Sequence, residues 1–180
     1  MGLPTATLLA AVMMTGQSAP AAPRTVEAVD LRAYAGTYYE IARYPNRFQD
    51  KCTGGEVTAT YTPRPDGRIE VLNRCRTGDG SMTEARGIAR KARKDPSGAK
   101  LKVRFAPAIL SFIPKVWGDY WILGVGPDYS YAVVGDPSRA FLWILSRTKV
   151  MPELAYRQAL EIATSNGYDV GRLAKTPQGQ

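Results

Sequence analysis

The chain has 180 residues, a length that fits one folded domain with a sizeable hydrophobic core. It contains no histidine, which excludes histidine-dependent catalysis and removes the commonest metal ligand in proteins. Its 24 lysine and arginine residues outnumber 16 aspartate and glutamate residues, and the resulting charge of +8 favours anionic surfaces or ligands through long-range attraction.

The first 22 residues have the composition of a secretory signal peptide. They contain no charged residue, and the apolar run from Leu8 to Met14 is followed by small residues around Ala19 and Ala21, as at a cleavage site. The run is shorter than the roughly 20 residues that span a bilayer. We therefore expect export and cleavage, with residues 23–180 as one mature domain. A misassigned start codon is the alternative, since no positive charge precedes the run and Pro20 lies in the cleavage site.

The segment from Gly36 to Arg43 predicts the first β-strand, because it is rich in the aromatic and β-branched residues that strands favour. A short turn with Asp30 as its cap precedes it. Alternation along the strand predicts two faces, with Tyr38, Glu40 and Ala42 on one and Tyr39, Ile41 and Arg43 on the other. Apolar bulk on both faces suits a strand between an enclosed interior and a packed helix.

Seven further strands are predicted at regular spacing, separated by clusters of turn residues. Their expected ranges are 56–62, 68–76, 82–92, 99–106, 119–125, 130–135 and 140–147. Eight strands closing in up-and-down order form a barrel that holds side chains or one small ligand. One helix is predicted over residues 152–165, because Pro152 suits a first turn and apolar residues recur at helical spacing. It is expected to pack outside the barrel.

Cys52 and Cys75 are the only cysteines, and an even number in an exported chain suggests a disulfide. The turn signal Pro65-Asp66-Gly67 predicts a hairpin between the second and third strands. That hairpin brings Cys75 within a few residues of Cys52 if the preceding loop folds back. We predict the disulfide, with two free thiols as the alternative.

Two segments, one near each end of the chain, resemble motifs of the lipocalin family. Gly36 and Tyr38 match the first lipocalin motif, Gly-x-Trp, except that tyrosine stands in the tryptophan position. Residues 141–147 resemble the third motif, whose arginine packs against the aromatic residue of the first. The resemblance implies that Arg147 lies over Tyr38 at the base of the barrel, where a cation on an aromatic face contributes roughly 0.5 to 2 kcal/mol.

Asp128 and Tyr129 resemble the second motif, Thr-Asp-Tyr, with Pro127 in the threonine position. The resemblance covers nearly the whole mature chain, and within the family it is strongest to bacterial lipocalins of the outer-membrane-lipoprotein type and to apolipoprotein D. It implies an all-β, eight-stranded barrel with one C-terminal helix. It also implies binding, storage or transport of a fatty acid or lysophospholipid, connected with maintenance of the cell envelope.

Export without a cysteine near the cleavage site predicts a soluble periplasmic protein and no lipid anchor. The sequence predicts no metal, cofactor or nucleic-acid partner, and it leaves monomer and dimer open. No GxSxG, CxxC or HExxH motif occurs, so no catalytic residue is predicted. A small enzyme or a pigment carrier on the same barrel is the alternative function. An outer-membrane barrel is disfavoured because Arg86, Arg90, Lys102 and Arg104 fall on its lipid-facing side.

The interior of the barrel is expected to hold an apolar cavity, in which an acyl chain gains roughly 0.8 kcal/mol per buried methylene. Small residues at 85, 87 and 89 favour such a cavity, although they could also accommodate bulky neighbours. The predicted lining is Ala42, Tyr61, Val71, Ala89, Val103, Phe105, Tyr120, Ile122 and Trp143. The opposite phase on the sixth strand, with Trp121 and Leu123 inside, is an alternative.

The loop from Ala106 to Pro114 is too apolar for ordinary exposure to solvent. It is predicted either to fold inward as a lid or to touch a membrane peripherally. Lys115 and the basic run over residues 86–94 would then attract anionic lipid. For that run, a solvated outward face is the alternative.

Overall fold

The computed structural model describes residues 21–110 and 113–179, so the predicted signal peptide lies outside the described residues except for Ala21 and Ala22. The strands are β1 (Gly36–Arg43), β2 (Gly55–Pro63), β3 (Ile69–Arg76), β4 (Met82–Lys91), β5 (Lys100–Arg104), β6 (Gly118–Val125), β7 (Tyr131–Gly135), β8 (Leu142–Ser146) and β9 (Ala174–Lys175). The helix α1 spans Glu153–Ser165. Single 3₁₀ turns occur at Arg47–Gln49, Ala108–Leu110, Pro114–Val116, Pro127–Tyr129 and Val170–Arg172.

Strands β1 to β8 form a closed antiparallel barrel. Each strand pairs with the next along the chain, and β1 pairs with both β2 and β8, which closes the sheet into a barrel. The predicted eight-stranded barrel with one C-terminal helix is therefore confirmed. The observed bounds of the strands and of the helix differ from the predicted ones by at most two residues.

The two ends of the barrel differ in how they are covered. At the closed end, where β1 begins, residues 26–34 cross beneath the strands: Val26 N donates to Ile122 O, and the side chains of Val29 and Tyr34 are buried in the interior. The loops that follow β1, β3, β5 and β7 lie at the opposite end, here called the open end.

Buried apolar side chains form two clusters on opposite sides of the barrel wall. The interior cluster consists of Val29, Tyr34, Tyr38, Tyr61, Ile69, Val71, Ala89, Ala99, Leu101, Ile122, Ala132, Val134 and Leu145. The outer cluster packs α1 on the wall and consists of Ala42, Tyr44, Leu123, Tyr131, Val133, Leu142, Ile144, Ala159, Ala163 and Tyr168. Strand β6 has Ile122 inside and Leu123 outside, which is the phase first predicted.

Helix α1 packs tightly against the wall at Gly124. A Cβ at that position would lie 2.6 Å from Cδ1 of Ile162, so a side chain there would push the helix away from β6. Among the described residues, no helix combines the length and hydropathy that crossing a membrane requires.

The predicted alternation of β1 is wrong beyond Glu40, because the strand contains a β-bulge. Glu40 pairs with Leu145 and Ala42 pairs with the next residue of β8, Ile144, so Ile41 is the extra residue. A bulge exchanges the faces of all residues that follow it. Ala42 therefore packs in the outer cluster instead of lining the interior. Arg43 lies opposite Trp143, which packs against the interior cluster.

The C-terminal tail fills a gap in the wall. The ladder between β1 and β2 covers Gly36 to Tyr39, and the two strands diverge beyond it. Strand β9 pairs there with β1, and the side-chain amide of Gln178 donates to the carbonyl oxygens of both Glu40 and Val57. The tail thus replaces ladder hydrogen bonds that the diverging strands cannot make with each other.

The predicted disulfide between Cys52 and Cys75 is present and ties the loop after β1 to the end of β3. The Cα atoms are 5.4 Å apart and the sequence separation is 23 residues. Closing a loop of that length stabilises the fold by about 3 kcal/mol in the chain-entropy estimate. The disulfide therefore anchors the loop between β1 and β2, which crosses the open end.

Candidate functional site

The closed end is held by one arginine. The guanidinium of Arg147 lies over the ring of Tyr38 and donates to the main-chain oxygens of Ala33, Tyr34, Ala35 and Thr37 at 2.7 to 3.2 Å. A Cβ at Gly36 would lie 3.0 Å from Nη1 of Arg147, and the φ of Gly36 is +100°. Glycine is therefore needed there for both space and backbone conformation.

The residues of the second motif occupy the turn between β6 and β7. Asp128 and Tyr129 both have positive φ, 51° and 55°, and Asp128 is exposed. The hydroxyl of Tyr129 accepts a hydrogen bond from Asp30 N at 2.9 Å, and its ring stands edge-on to Tyr34. Tyr129 thus fastens the N-terminal turn beneath the barrel.

The lower half of the interior is packed by side chains of the chain itself. Four residues predicted to line a hollow, Tyr61, Val71, Ala89 and Ile122, are each 5% exposed or less. Above the closed end, the hydroxyl of Tyr120 lies 2.7 Å from those of Tyr34 and Tyr61. Burial raises the pKa of all three tyrosines, so the three hydroxyls form a neutral floor. The expected hollow therefore does not extend to the base of the barrel.

The upper half of the interior is less enclosed and is here called the cup. Its wall combines the predicted Val103, Phe105, Tyr120 and Trp143 with three residues that share their inward face, Ala59, Asn73 and Ala85. Phe105, at the mouth, is 44% exposed. A Cβ at Gly87 would lie 2.8 Å from the Phe105 ring, so this small residue accommodates a bulky neighbour, as the alternative interpretation held.

A chain of hydrogen bonds crosses the rim of the cup. Trp143 Nε1 donates to Gln49 Oε1 at 3.0 Å, and Gln49 Nε2 donates to Glu40 Oε2 at 2.6 Å. The other carboxylate oxygen of Glu40 accepts from Thr176 Oγ1 at 2.6 Å. The chain joins the wall of the cup, the loop that crosses its mouth and the C-terminal tail.

Glu40 is buried, and burial raises the pKa of its carboxyl group. The hydrogen bonds from Thr176 and Gln49 and the positive charge of Arg43 act in the opposite direction but do not cancel it. The loss of hydration on burial therefore outweighs the favourable contacts of the charged form.

Aromatic rings continue from the cup to the outer rim. The ring of Phe141 stacks on Trp143 with 5.8 Å between centroids, and Phe48 lies 5.7 Å from Phe141. Phe48 is 80% exposed. Sequence reasoning placed Phe141 in the predicted eighth strand but not in the site, and it left out Phe48, which lies in a loop without periodicity.

The basic run and the apolar loop lie apart in the structure. Arg93 and Lys94 belong to the hairpin after β4, at the closed end, whereas the loop lies at the open end. The expected cooperation of the complete run with the loop is therefore wrong. Arg90 and Arg104 lie around Trp117, which follows the loop, with their Cζ atoms 4.1 and 5.2 Å from the centroid of its ring.

A model of the lipocalin-like domain family matches residues 29–178. The chain belongs to the lipocalin family. Lipocalins bind small hydrophobic ligands, and their members are generally carriers and not enzymes. The resemblance stated from the three motifs is thereby confirmed.

Two relatives illustrate the breadth of the family around this lipocalin. It is 48% identical to temperature-induced lipocalin-1 of Arabidopsis thaliana over 154 residues, which cover 85% of this chain and 81% of the plant protein. It is 35% identical to the outer membrane lipoprotein Blc of Escherichia coli K12 over 166 residues, covering 91% and 89% of the two chains.

A solved structure supports the fold independently. Insecticyanin from the tobacco hornworm Manduca sexta superposes with a TM-score of 0.68 at 20% sequence identity, covering 88% of this lipocalin and 85% of that chain. At this identity the likeness concerns the barrel and not the ligand.

Proposed function

We propose that this lipocalin binds a fatty acid or lysophospholipid in the cup and carries it in maintenance of the cell envelope. The observation that supports this most strongly is the cup itself, whose mainly apolar wall is partly exposed above a packed floor. An acyl chain in the cup would be removed from water and would pack against Val103, Phe105 and Trp143, which favours binding by roughly 0.8 kcal/mol per methylene. The neutral tyrosine floor suits the end of the tail better than a charged headgroup.

The export of the protein to the periplasm is part of this proposal. Its disulfide is stable in an oxidising compartment such as the periplasm. The relationship to Blc, an outer membrane lipoprotein, supports a place in the envelope. Both cysteines of the chain are used in the disulfide.

The open end is the surface that we propose contacts lipid. Phe48 and Phe105 are exposed there, and Ile109 in the apolar loop is 79% exposed. The exposed cations of Arg90, over the ring of Trp117, and of Lys115, directly after the loop, would attract anionic headgroups. A carrier that meets the membrane with its open mouth can exchange a ligand without passing the acyl chain through water.

The contacts of Glu40 favour a carrier function over catalysis. Its two oxygens are held by Gln49 and Thr176, and its further described neighbour is the cation of Arg43. Thr176 supplies the one hydroxyl among these groups, and both it and Glu40 are buried, so this contact is not placed to meet a substrate. We therefore propose a structural role for this carboxyl group.

Native mass spectrometry of the purified protein, followed by lipid extraction, tests the function directly. A bound amphiphile of one acyl chain is expected. Titration with a fluorescent fatty acid then compares Trp143→Glu, which should abolish binding, with Leu154→Glu, an exposed position on α1 that should bind normally. Both variants should keep the β circular-dichroism spectrum. A wild-type protein that captures no amphiphile would refute the proposal.

A further inference from the structure

Arg43 is aimed into the cup by the bulge in β1. Without the extra residue at Ile41, Arg43 would face the outer cluster, where Ala42 now packs. It lies directly opposite Trp143, and directly paired residues of neighbouring strands share a face. Bulges often redirect one side chain in this way beside a binding site.

The guanidinium of Arg43 is enclosed, yet it makes no hydrogen bond with any residue in the described ranges. Its side chain is 17% exposed, and Nε is buried without a partner. Its ion pair with Glu40 is loose, at 3.6 Å from Nη1 to Oε1, because both Glu40 oxygens are held more closely by Gln49 and Thr176. An arginine carries five N–H donors, and burying even the Nε–H without an acceptor is costly.

Arg147 provides a comparison within the same barrel. At the closed end its guanidinium donates to four main-chain oxygens, which is a complete structural use of the group. Arg43, at the rim, has no comparable set of acceptors among the residues that the structure describes. The difference indicates that the acceptors for Arg43 come from a molecule that enters the cup.

We propose that Arg43 binds the anionic headgroup of the cup ligand, a carboxylate or a phosphate, and selects acidic single-chain amphiphiles over neutral ones. This rests on the proposed function. A planar guanidinium fits either oxyanion with two parallel hydrogen bonds. The headgroup then lies at the rim, and the acyl chain runs along Trp143 towards the tyrosine floor.

The test compares ligands of equal chain length and different charge. A fatty acid, the corresponding fatty alcohol and a lysophosphatidic acid are titrated against the wild type, Arg43→Met and Arg47→Met. Arg47 is an exposed cation at the same end of the barrel, so its variant controls for overall charge. Arg43→Met should weaken binding of the acid by about tenfold to a hundredfold. Binding of the alcohol should stay within about twofold, since no charged hydrogen bond is lost.

The outcomes separate this inference from the function on which it rests. Failure of the wild type to bind any of the three ligands would refute the proposed function itself. Equal affinity of the wild type for acid and alcohol, unchanged in Arg43→Met, would overturn the role of Arg43 and leave the carrier function standing. An equal loss of acid and alcohol binding in Arg43→Met would also overturn it, because it would indicate a structural role. A selective loss of the carboxylate or of the phosphate ligand supports it and identifies the headgroup.

Discussion

The guanidinium of Arg147 lies over the ring of Tyr38, with 3.8 Å between Cζ and the centroid of the ring. No other side chain can easily replace this guanidinium, because it also donates hydrogen bonds to four main-chain oxygens around the start of β1. This one side chain therefore joins the start of β1, the end of β8 and the N-terminal turn.

Arg147→Met should lower the free energy of unfolding by about 2 to 4 kcal/mol, since it removes a cation–π contact and the donors of several partly buried carbonyl groups. Urea denaturation measures the change. Arg68→Met, at an exposed hairpin, serves as the control and should change stability little. An Arg147→Met protein with the wild-type midpoint would contradict the assignment of this residue as the fastener of the closed end.

Tyr38 and Tyr120 should respond in opposite ways to loss of the hydroxyl group. Burial raises the pKa of Tyr38 to about 12, and its buried Oη has no hydrogen-bond partner among the described residues. Tyr38→Phe should therefore be neutral or stabilising by up to about 1 kcal/mol. Tyr120→Phe removes the middle of the three-hydroxyl chain and should destabilise by about 1 to 3 kcal/mol. Thermal unfolding at pH 7 tests both variants, and a reversed order would contradict the hydrogen-bond assignment.

The barrel was predictable from the sequence because its signals are local. Alternation of apolar and polar residues, turn residues such as those at 65–67, and helical spacing after Pro152 each report on neighbouring residues. They gave the strand bounds to within two residues. The three motifs then supplied the family, which no single motif could have done.

The cup was only partly predictable because its decisive features depend on distant contacts. The bulge at Ile41 is visible only in the register with β8, so alternation placed Ala42 inside and Arg43 outside. The packed floor depends on Tyr34, Tyr61 and Tyr120 converging from three separate segments. The rim bond from Thr176 to Glu40 spans 136 residues. No pattern in one segment carries such information.

Glu40 should make stability depend on pH in a direction unusual for a carboxyl group. Its pKa is raised by burial, so the folded state holds its proton more firmly than the unfolded state does. The stability that this raised pKa contributes is complete below the pKa of the carboxyl group in the unfolded state, about 4.3, and is lost as the pH rises through its pKa in the folded state. In urea unfolding from pH 4 to pH 8, the free energy of unfolding of Glu40→Gln should therefore increase relative to that of the wild type as the pH rises.

Glu84 is the matched control for that experiment, because Arg86 and Arg74 lower its pKa at an exposed position. A lowered pKa gives stability that is present at neutral pH and lost on acidification. The free energy of unfolding of Glu84→Gln should therefore decrease relative to that of the wild type as the pH rises from 4 to 8. The same slope in both variants would contradict the burial argument for Glu40.

Ile109→Asp should weaken attachment to vesicles if the open end meets lipid. The side chain is exposed in the apolar loop, so the change should leave the stability of the fold unaltered. Sedimentation with vesicles of phosphatidylglycerol and phosphatidylcholine measures binding. Val150→Asp, equally exposed beside the start of α1, is the control and should sediment like the wild type. Unchanged sedimentation of Ile109→Asp would remove the loop from the contact.

The depth of the cup should limit the benefit of a longer acyl chain. Affinity in a series of saturated fatty acids should rise by about 0.8 kcal/mol per methylene while the added groups are buried, and then level off where the tail meets the tyrosine floor. Tyr61→Ala removes one ring of that floor and should move the plateau to longer chains. Tyr39→Ala, at a β1 position outside the interior cluster, should leave the plateau in place. Isothermal titration calorimetry at constant ionic strength provides the affinities. A wild-type series that keeps rising through the longest soluble chains would mean that the floor side chains move aside for the ligand.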